Sequence, residues 1–108
     1  MPSIGDVLEE LERVVEERAR SRPPGSYTAM LLEKGAGFVA RKVGEEAVEV
    51  IVAALSESRE RLAEETADLL YHLTVLLYLR GLSWGDVARV LEERRWSKGG
   101  SRRDNRAG

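Results

Sequence analysis

Apolar residues recur along this chain every three to four positions, which is the pattern of amphipathic helices. The pattern predicts five helices, over about 4–20, 27–33, 37–55, 59–80 and 84–95. No segment alternates between polar and apolar residues as a half-buried strand does. The sequence therefore predicts an all-α fold, an antiparallel bundle of four to five helices.

The breaks between these segments carry residues that begin or end helices. Ser3, Ser26 and Ser83 stand at the expected N-cap positions. Prolines cannot donate a backbone hydrogen bond, and glycine readily adopts the left-handed conformation that follows a helix. The expected stops are Pro23, Pro24, Gly35 and Gly81.

The third and fourth predicted helices each carry a pair of acidic residues on one face. Glu46 and Glu49 are three residues apart, and so are Glu65 and Asp68. Both pairs are equally distant from a polar break at 56–58, so a chain that folds back there brings them level. Four carboxylates in one small space repel one another unless a cation lies between them.

Oxygen ligands without cysteine or paired histidine favour a hard ion such as Mg²⁺ or Mn²⁺. Such an ion usually keeps room for substrate phosphates, so the pattern indicates a metal-dependent enzyme acting on a phosphate compound. The alternative is structural: Lys42 and Arg61 neutralise the acids as a buried ion network, and the protein is a non-catalytic, dimeric helical module.

Other residues are weaker candidates for a functional role. His72 lies one turn from Asp68 and is either a hydrogen-bonded core histidine or a residue that orients the Asp68 carboxylate. The remaining candidates for substrate contacts are Tyr27, Thr28, Lys34 and Lys42. Lys34 and Lys42 either bind phosphate as point charges or remain in solvent. Tyr27 and Thr28, just past the Pro-Pro-Gly break, either contact a nucleotide or merely begin a helix.

Apolar positions also lead to expectations about burial. The third helix is apolar almost all round except for its ionisable stripe, so it is expected to be buried. On the fifth helix, Val87, Val90 and Leu91 are expected to face inward, and Trp84 and Trp96 are expected to serve in packing.

The chain's length of 108 residues, with 43% apolar and 33% charged residues, is that of a single soluble domain. Cysteine is absent, which excludes a disulfide framework and a thiol nucleophile. The apolar run at 69–79 is too short to span a bilayer. The first residues do not follow the pattern of a signal peptide, so we expect a cytoplasmic protein with no membrane partner.

Charge is unevenly distributed, with a net −2 overall. Residues 97–108 contain four cations against one acid, while residues 1–96 form the predicted domain. A basic tail can contact nucleic acid, but this one is glycine-rich and has no aromatic residue to stack on bases. We therefore interpret it as a flexible, solvated terminus and expect no nucleic-acid partner.

Three segments in order resemble a known family. Glu45-Glu46-x-x-Glu49 followed by Glu65-x-x-Asp68 is similar to the acidic pattern of the all-α, MazG-like nucleotide pyrophosphohydrolases. Within them, the chain resembles the phosphoribosyl-ATP pyrophosphohydrolases of histidine biosynthesis over about residues 4–95. The segments that carry this closer resemblance are Ser26-Tyr-Thr-Ala-Met-Leu-Leu32, Lys42-Val-Gly-Glu-Glu-Ala-Val-Glu-Val50 and Ala67-Asp-Leu-Leu-Tyr-His-Leu73.

The resemblance implies hydrolysis of phosphoribosyl-ATP between its α and β phosphates, which gives phosphoribosyl-AMP and pyrophosphate in the second step of histidine biosynthesis. It also implies a homodimer. Mg²⁺, or Mn²⁺ as the second candidate, would neutralise the triphosphate and acidify the attacking water. The implied metal ligands are Glu46, Glu49, Glu65 and Asp68.

The other implied roles are less specific. Glu45 is a candidate for the base that takes the proton of the attacking water. Lys42 would hold phosphate charge, while Tyr27, Thr28 and Lys34 would place the substrate. A house-cleaning hydrolase of unwanted nucleoside triphosphates would use the same metal chemistry with a different base pocket, and it remains the nearest rival.

Overall fold

The computed structural model describes residues 1–95, and these form five helices connected by short turns. Over this range no residue is in a strand, which confirms the predicted all-α class. The observed bounds lie within one residue of the predicted ones. The helices are α1 (Ile4–Ser21), α2 (Tyr27–Lys34), α3 (Ala36–Ser56), α4 (Arg59–Leu79) and α5 (Trp84–Arg95).

Side-chain caps begin most helices as the sequence indicated. The Ser3 and Ser26 hydroxyls accept the backbone N–H groups of Asp6 and Ala29 at 3.0 and 3.1 Å. Ser58 caps α4 in the same way, since its hydroxyl accepts the N–H of Arg61 at 3.1 Å. These bonds satisfy donors that have no partner inside a helix and fix where each helix starts.

The end of α1 uses a feature that its two prolines alone do not indicate. Arg22, the residue after the helix, adopts the left-handed conformation with φ of 47°. Its side chain then turns back to donate to the Ala19 carbonyl at 3.0 Å and pairs with Glu33 on α2 at 3.1 Å. Arg22 therefore both closes α1 and ties it to α2.

The hydrophobic core lies at one end of the molecule, where α1, α2, the start of α3 and the second half of α4 meet. Partly buried residues such as Leu11, Phe38 and Leu79 pack around it. The fully or nearly fully buried core side chains are Val15, Leu31, Leu32, Val39 and Val75.

The hairpin of α3 and α4 extends beyond this core. Each of the two helices is 21 residues long, and Glu57 and Ser58 connect them. The C-terminal half of α3 is largely exposed within a single chain, which contradicts the expectation that α3 is buried. The exposed apolar side chains there are Val48, Ile51, Val52 and Leu55.

The fifth helix is held mainly through its first residue. The Trp84 backbone N–H donates to Glu12 at 2.6 Å, and its indole N–H donates to the buried Thr74 at 2.8 Å. The prediction that Val90 and Leu91 face inward is wrong, because 44% and 60% of their surfaces are exposed and no residue of α5 is buried. Trp84 has polar partners besides its packing role.

The predicted tail, residues 97–108, and Trp96 lie outside the described residues. Over residues 1–95, no helix is long and apolar enough to cross a membrane.

Candidate metal and substrate site

Three acidic residues from the α3–α4 hairpin come together, as the equal spacing from the turn predicts. One carboxylate oxygen from each of Glu46, Glu65 and Asp68 lies within 4.8 Å of the other two. Glu65 is buried, Glu46 is half-buried and Asp68 is exposed, so the group opens to solvent at one side. We call these three residues the acidic group.

The other two acids of the pattern lie outside the acidic group. Glu49 is one turn further along α3 and is exposed. Glu45 is also exposed and pairs with two cations of its own helix, Arg41 at 3.2 Å and Lys42 at 3.4 Å. The structure thus brings together three of the four residues expected to bind metal.

Within residues 1–95, Arg61 is the cation that contacts the acidic group. Its guanidinium bonds to the carboxylates of Glu64 and Glu65 and lies 3.5 Å from Glu57. The bond to Glu64, followed by the charge of Glu65, raises the pKa of Arg61 above its ordinary value. The ion-network alternative expected both Arg61 and Lys42 to neutralise the acids. Arg61 does contact the acidic group, whereas Lys42 pairs with Glu45 instead.

The donor set fits a hard divalent cation. All three side chains of the acidic group offer carboxylate oxygen, and their separation allows one ion to contact each of them. Three negative charges against one arginine also leave the group with surplus negative charge. Because one side is open, an ion held here would retain positions for water or phosphate.

A chain of hydrogen bonds connects α2 to the turn of α4 that carries Asp68. The Nδ1 of His72 lies 2.8 Å from the Asp68 backbone carbonyl, and its Nε2 lies 2.9 Å from the Tyr27 hydroxyl. A carbonyl only accepts, so Nδ1 carries the proton and, in the neutral ring, Nε2 accepts from Tyr27. His72 therefore fixes the Asp68 backbone, not its carboxylate, and both ring nitrogens are used within the protein.

A second pair of hydroxyls lies beside this chain. Thr28, which is buried, bonds to the hydroxyl of Tyr71, and the Tyr71 ring stacks with Tyr27 at 6.1 Å between centroids. Burial raises the pKa of Tyr71, an effect that the bond to Thr28 opposes. Tyr71 was not among the predicted site residues, although it and His72 interrupt an otherwise apolar run, which was the available signal.

The two predicted phosphate-binding lysines occupy different surroundings. Lys42 is mostly covered, with 27% of its side chain exposed, and pairs with Glu45. Lys34 lies over the ring of Phe38 at 5.5 Å, and Arg41 approaches the same ring at 5.1 Å. Lys34 is the last residue of α2, whereas Arg41 and Lys42 lie in the first half of α3; Arg41 was not among the predicted site residues.

Removing the Tyr27 hydroxyl tests the bond to His72. We expect Tyr27→Phe to lower the free energy of unfolding by about 1–3 kcal/mol, because a buried ring nitrogen loses its partner. The matched control is Tyr78→Phe, at an exposed tyrosine of the same helix as His72, which should change stability by less than about 0.5 kcal/mol. Urea unfolding followed by circular dichroism measures both, and equal effects would contradict this role of Tyr27.

Comparison with known proteins identifies the family. Residues 8–95 match the family model described as phosphoribosyl-ATP pyrophosphohydrolase. The chain belongs to the phosphoribosyl-ATP pyrophosphohydrolase family. The match covers the whole α3–α4 hairpin and the acidic group, and it confirms the resemblance drawn from the three sequence segments.

Curated relatives of this family agree closely with the chain. A protein of Metallosphaera sedula named phosphoribosyl-ATP pyrophosphatase is 61% identical over 89 residues, which are 82% of this chain and 96% of the relative. One of Pyrobaculum arsenaticum with the same name is 62% identical over 89 residues, covering 82% and 95%. A third, of Ignicoccus hospitalis, is 49% identical over 98 residues, covering 91% and 96%.

Proposed function

We propose that this protein hydrolyses phosphoribosyl-ATP between its α and β phosphates, giving phosphoribosyl-AMP and pyrophosphate in the second step of histidine biosynthesis. The observation that carries the proposal is that the family match spans a helical hairpin whose carboxylates converge. Water supplies the oxygen that forms the new bond to phosphorus, and the anhydride bond breaks to release pyrophosphate.

The proposed metal ligands are Glu46, Glu65 and Asp68, together with Glu49. When bound, Mg²⁺ or Mn²⁺ would supply neutralisation of the triphosphate charge and acidification of water. Glu49 lies one turn from Glu46 on the same helix, so the two residues share one face of α3. The convergence of the other three supports the set.

The other residues bind and place the substrate. Lys42 on α3 and Lys34 at the end of α2 hold phosphate charge, and Glu45 pairs with Lys42. Glu45 is the candidate base for the attacking water, and its exposure keeps it accessible. Thr28 lies beside the tyrosine pair at the α2–α4 contact and helps to place the substrate.

Tyr27 and His72 contribute to binding through the position of α2 relative to Asp68. Their polar atoms bond to each other and to the Asp68 carbonyl. The exposed part of the Tyr27 ring, with 44% of the residue accessible, is the surface available to the substrate. This arrangement supports a role for both residues in substrate binding that needs no direct bond from His72 to the substrate.

We also propose that the active protein is a homodimer formed through α3. Val48, Ile51 and Leu55 are exposed and follow helical spacing with Gly44, so they form one stripe. A glycine inside a helix costs about 1 kcal/mol relative to alanine. Within residues 1–95, no atom lies within 4 Å of the place that a Cβ of residue 44 would take, so packing in a single chain does not require the glycine. Close approach of a second copy would explain it.

The experiment that tests the substrate is an assay of pyrophosphate release. We expect kcat/KM for phosphoribosyl-ATP to exceed that for every canonical dNTP and NTP by at least about 100-fold. A preference for a dNTP would replace the proposed substrate with that of a house-cleaning hydrolase.

We also propose that the protein acts in the cytoplasm and has neither nucleic acid nor a membrane as a partner.

The non-catalytic module has one observation in its favour. Arg61 bonds to the buried Glu65, as an ion network requires. Within residues 1–95, that network gives Glu46 no ion-pair partner, although Glu46 lies in the same group. The stability and activity of Glu46→Gln separate the two interpretations.

A further inference from the structure

Arg61 lies between solvent and the most buried member of the acidic group. Its guanidinium bonds to Glu65, whose side chain is only 9% exposed, while 49% of the Arg61 side chain remains exposed. A buried carboxylate needs a partner because leaving water costs it much more than it costs a neutral group. Arg61 is that partner in residues 1–95.

We propose that Arg61 is an internal counterion that a divalent cation displaces from Glu65. This inference rests on the proposed function, since it takes the acidic group to be the metal site. A guanidinium and a metal ion both require carboxylate lone pairs, and each repels the other by charge. When the ion binds, the contact between Arg61 and Glu65 is therefore exchanged for one between the ion and Glu65.

The surroundings of Arg61 make this exchange easy. Glu57, in the connection before α4, lies four residues before Arg61, and Glu64 lies three residues after it; both are exposed. Arg61 can leave Glu65 and keep its bond to Glu64, so its charge stays neutralised. The half-exposed side chain also has room to turn outward without disturbing the core.

The consequence is a protein whose hairpin does not depend on metal for its stability. With Arg61 in contact, the repulsion among the three carboxylates is reduced, so the two helices remain packed in the metal-free state. The same contact competes with the ion and raises the concentration of metal at which the site fills. Arg61 is therefore a positioning residue that sets the apparent metal affinity.

The test is a Mn²⁺ titration of the full chain, with the free ion measured by electron paramagnetic resonance. We expect Arg61→Gln to bind Mn²⁺ about threefold to tenfold more tightly than the unaltered protein, because a charge-assisted bond to a nearly buried carboxylate no longer competes. The metal-free variant should melt at a lower temperature, and saturating Mn²⁺ should raise its Tm by more than that of the unaltered protein.

Two further variants separate this exchange from a general effect of charge. Arg59→Gln removes the same charge two residues away, on a different face of α4, where Arg59 lines a groove with Ile4 and Leu62. It should change the affinity by less than about twofold. Arg61→Lys keeps the charge but loses the planar fork that bridges two carboxylates, and should bind Mn²⁺ more tightly than the unaltered protein.

The following results would overturn the proposed exchange between Arg61 and the metal ion. Weaker or unchanged Mn²⁺ binding by Arg61→Gln, with circular dichroism showing an intact fold, would overturn the exchange and make Arg61 a residue that only supports Glu65. An equal gain in Arg59→Gln would also overturn it, since charge alone would then explain the effect. If the unaltered protein binds no Mn²⁺, the proposed function fails as well, which a failure of the exchange alone would not cause.

Discussion

Replacing Glu46 with glutamine is expected to reduce kcat/KM for phosphoribosyl-ATP on the order of 10³-fold or more, while the metal-free protein remains as stable as before or becomes more stable. Glutamine is nearly the same size but cannot supply the negative charge that a divalent ion requires. In the metal-free protein the same change removes one of three like charges that lie within 4.8 Å of one another.

The measurement combines steady-state pyrophosphate release with urea unfolding in the presence of a chelator. Glu60→Gln is the matched control, because it removes one charge from the exposed first turn of α4, outside the acidic group. It should leave both quantities nearly unchanged. Clear destabilisation of metal-free Glu46→Gln would instead show that Glu46 belongs to a structural ion network, and the catalytic account would then lose its basis.

Replacing Ile51 with glutamate is expected to convert the proposed dimer into a monomer. In a single chain 57% of Ile51 is exposed, in the middle of the apolar stripe of α3. A two-fold interface buries the same position from both copies, so each dimer would bury two charges without partners. We expect the dissociation constant of the dimer to rise by at least about 100-fold.

Sedimentation velocity over a range of protein concentrations measures this change. Leu91→Glu is the matched control, since Leu91 is equally exposed, at 60%, but lies on α5. That variant should remain dimeric, and both variants should keep the helical content of the unaltered protein. A monomeric unaltered protein, or a dimer that survives Ile51→Glu, would exclude α3 as the interface.

The local structure was predictable because its causes are local. Ser3 and Ser26 accept the hydrogen bonds expected of N-caps, and Gly35 and Gly81 have the positive φ angles of 92° and 75° that end helices. The meeting of Glu46 with Glu65 and Asp68 followed from helical spacing and one turn, since the distance along each helix from that turn fixes which residues lie level.

Features that depend on contacts between distant segments were not predictable in the same way. Val48 and Leu55 are exposed in a single chain. The sequence did not predict this, because an apolar pattern does not show whether a helix packs against its own chain or against a second copy. The exposure of Leu91 has a similar cause, because α5 is held at Trp84 and its later turns stand away from the core.

The sequence also did not predict which acid each cation pairs with. Lys42 and Arg61 were equal candidates to neutralise the acids, yet Lys42 bonds to Glu45 and Arg61 bonds to Glu65. Each of them is three or four residues from its partner on its own helix, and such pairs form readily. The choice between a cation from the same helix and one from the opposite helix depends on side-chain rotamers, which spacing does not determine.

Whether the three carboxylates of the acidic group bind a metal ion is tested most directly by a crystal structure of the protein with Mn²⁺ and a non-hydrolysable analogue of phosphoribosyl-ATP. We expect anomalous density for Mn²⁺ at about 2.0–2.3 Å from carboxylate oxygens of Glu46, Glu65 and Asp68, with a phosphate oxygen of the analogue completing the coordination. An ion bound elsewhere, with these three carboxylates keeping the positions and partners described above, would rule out the acidic group as the metal site.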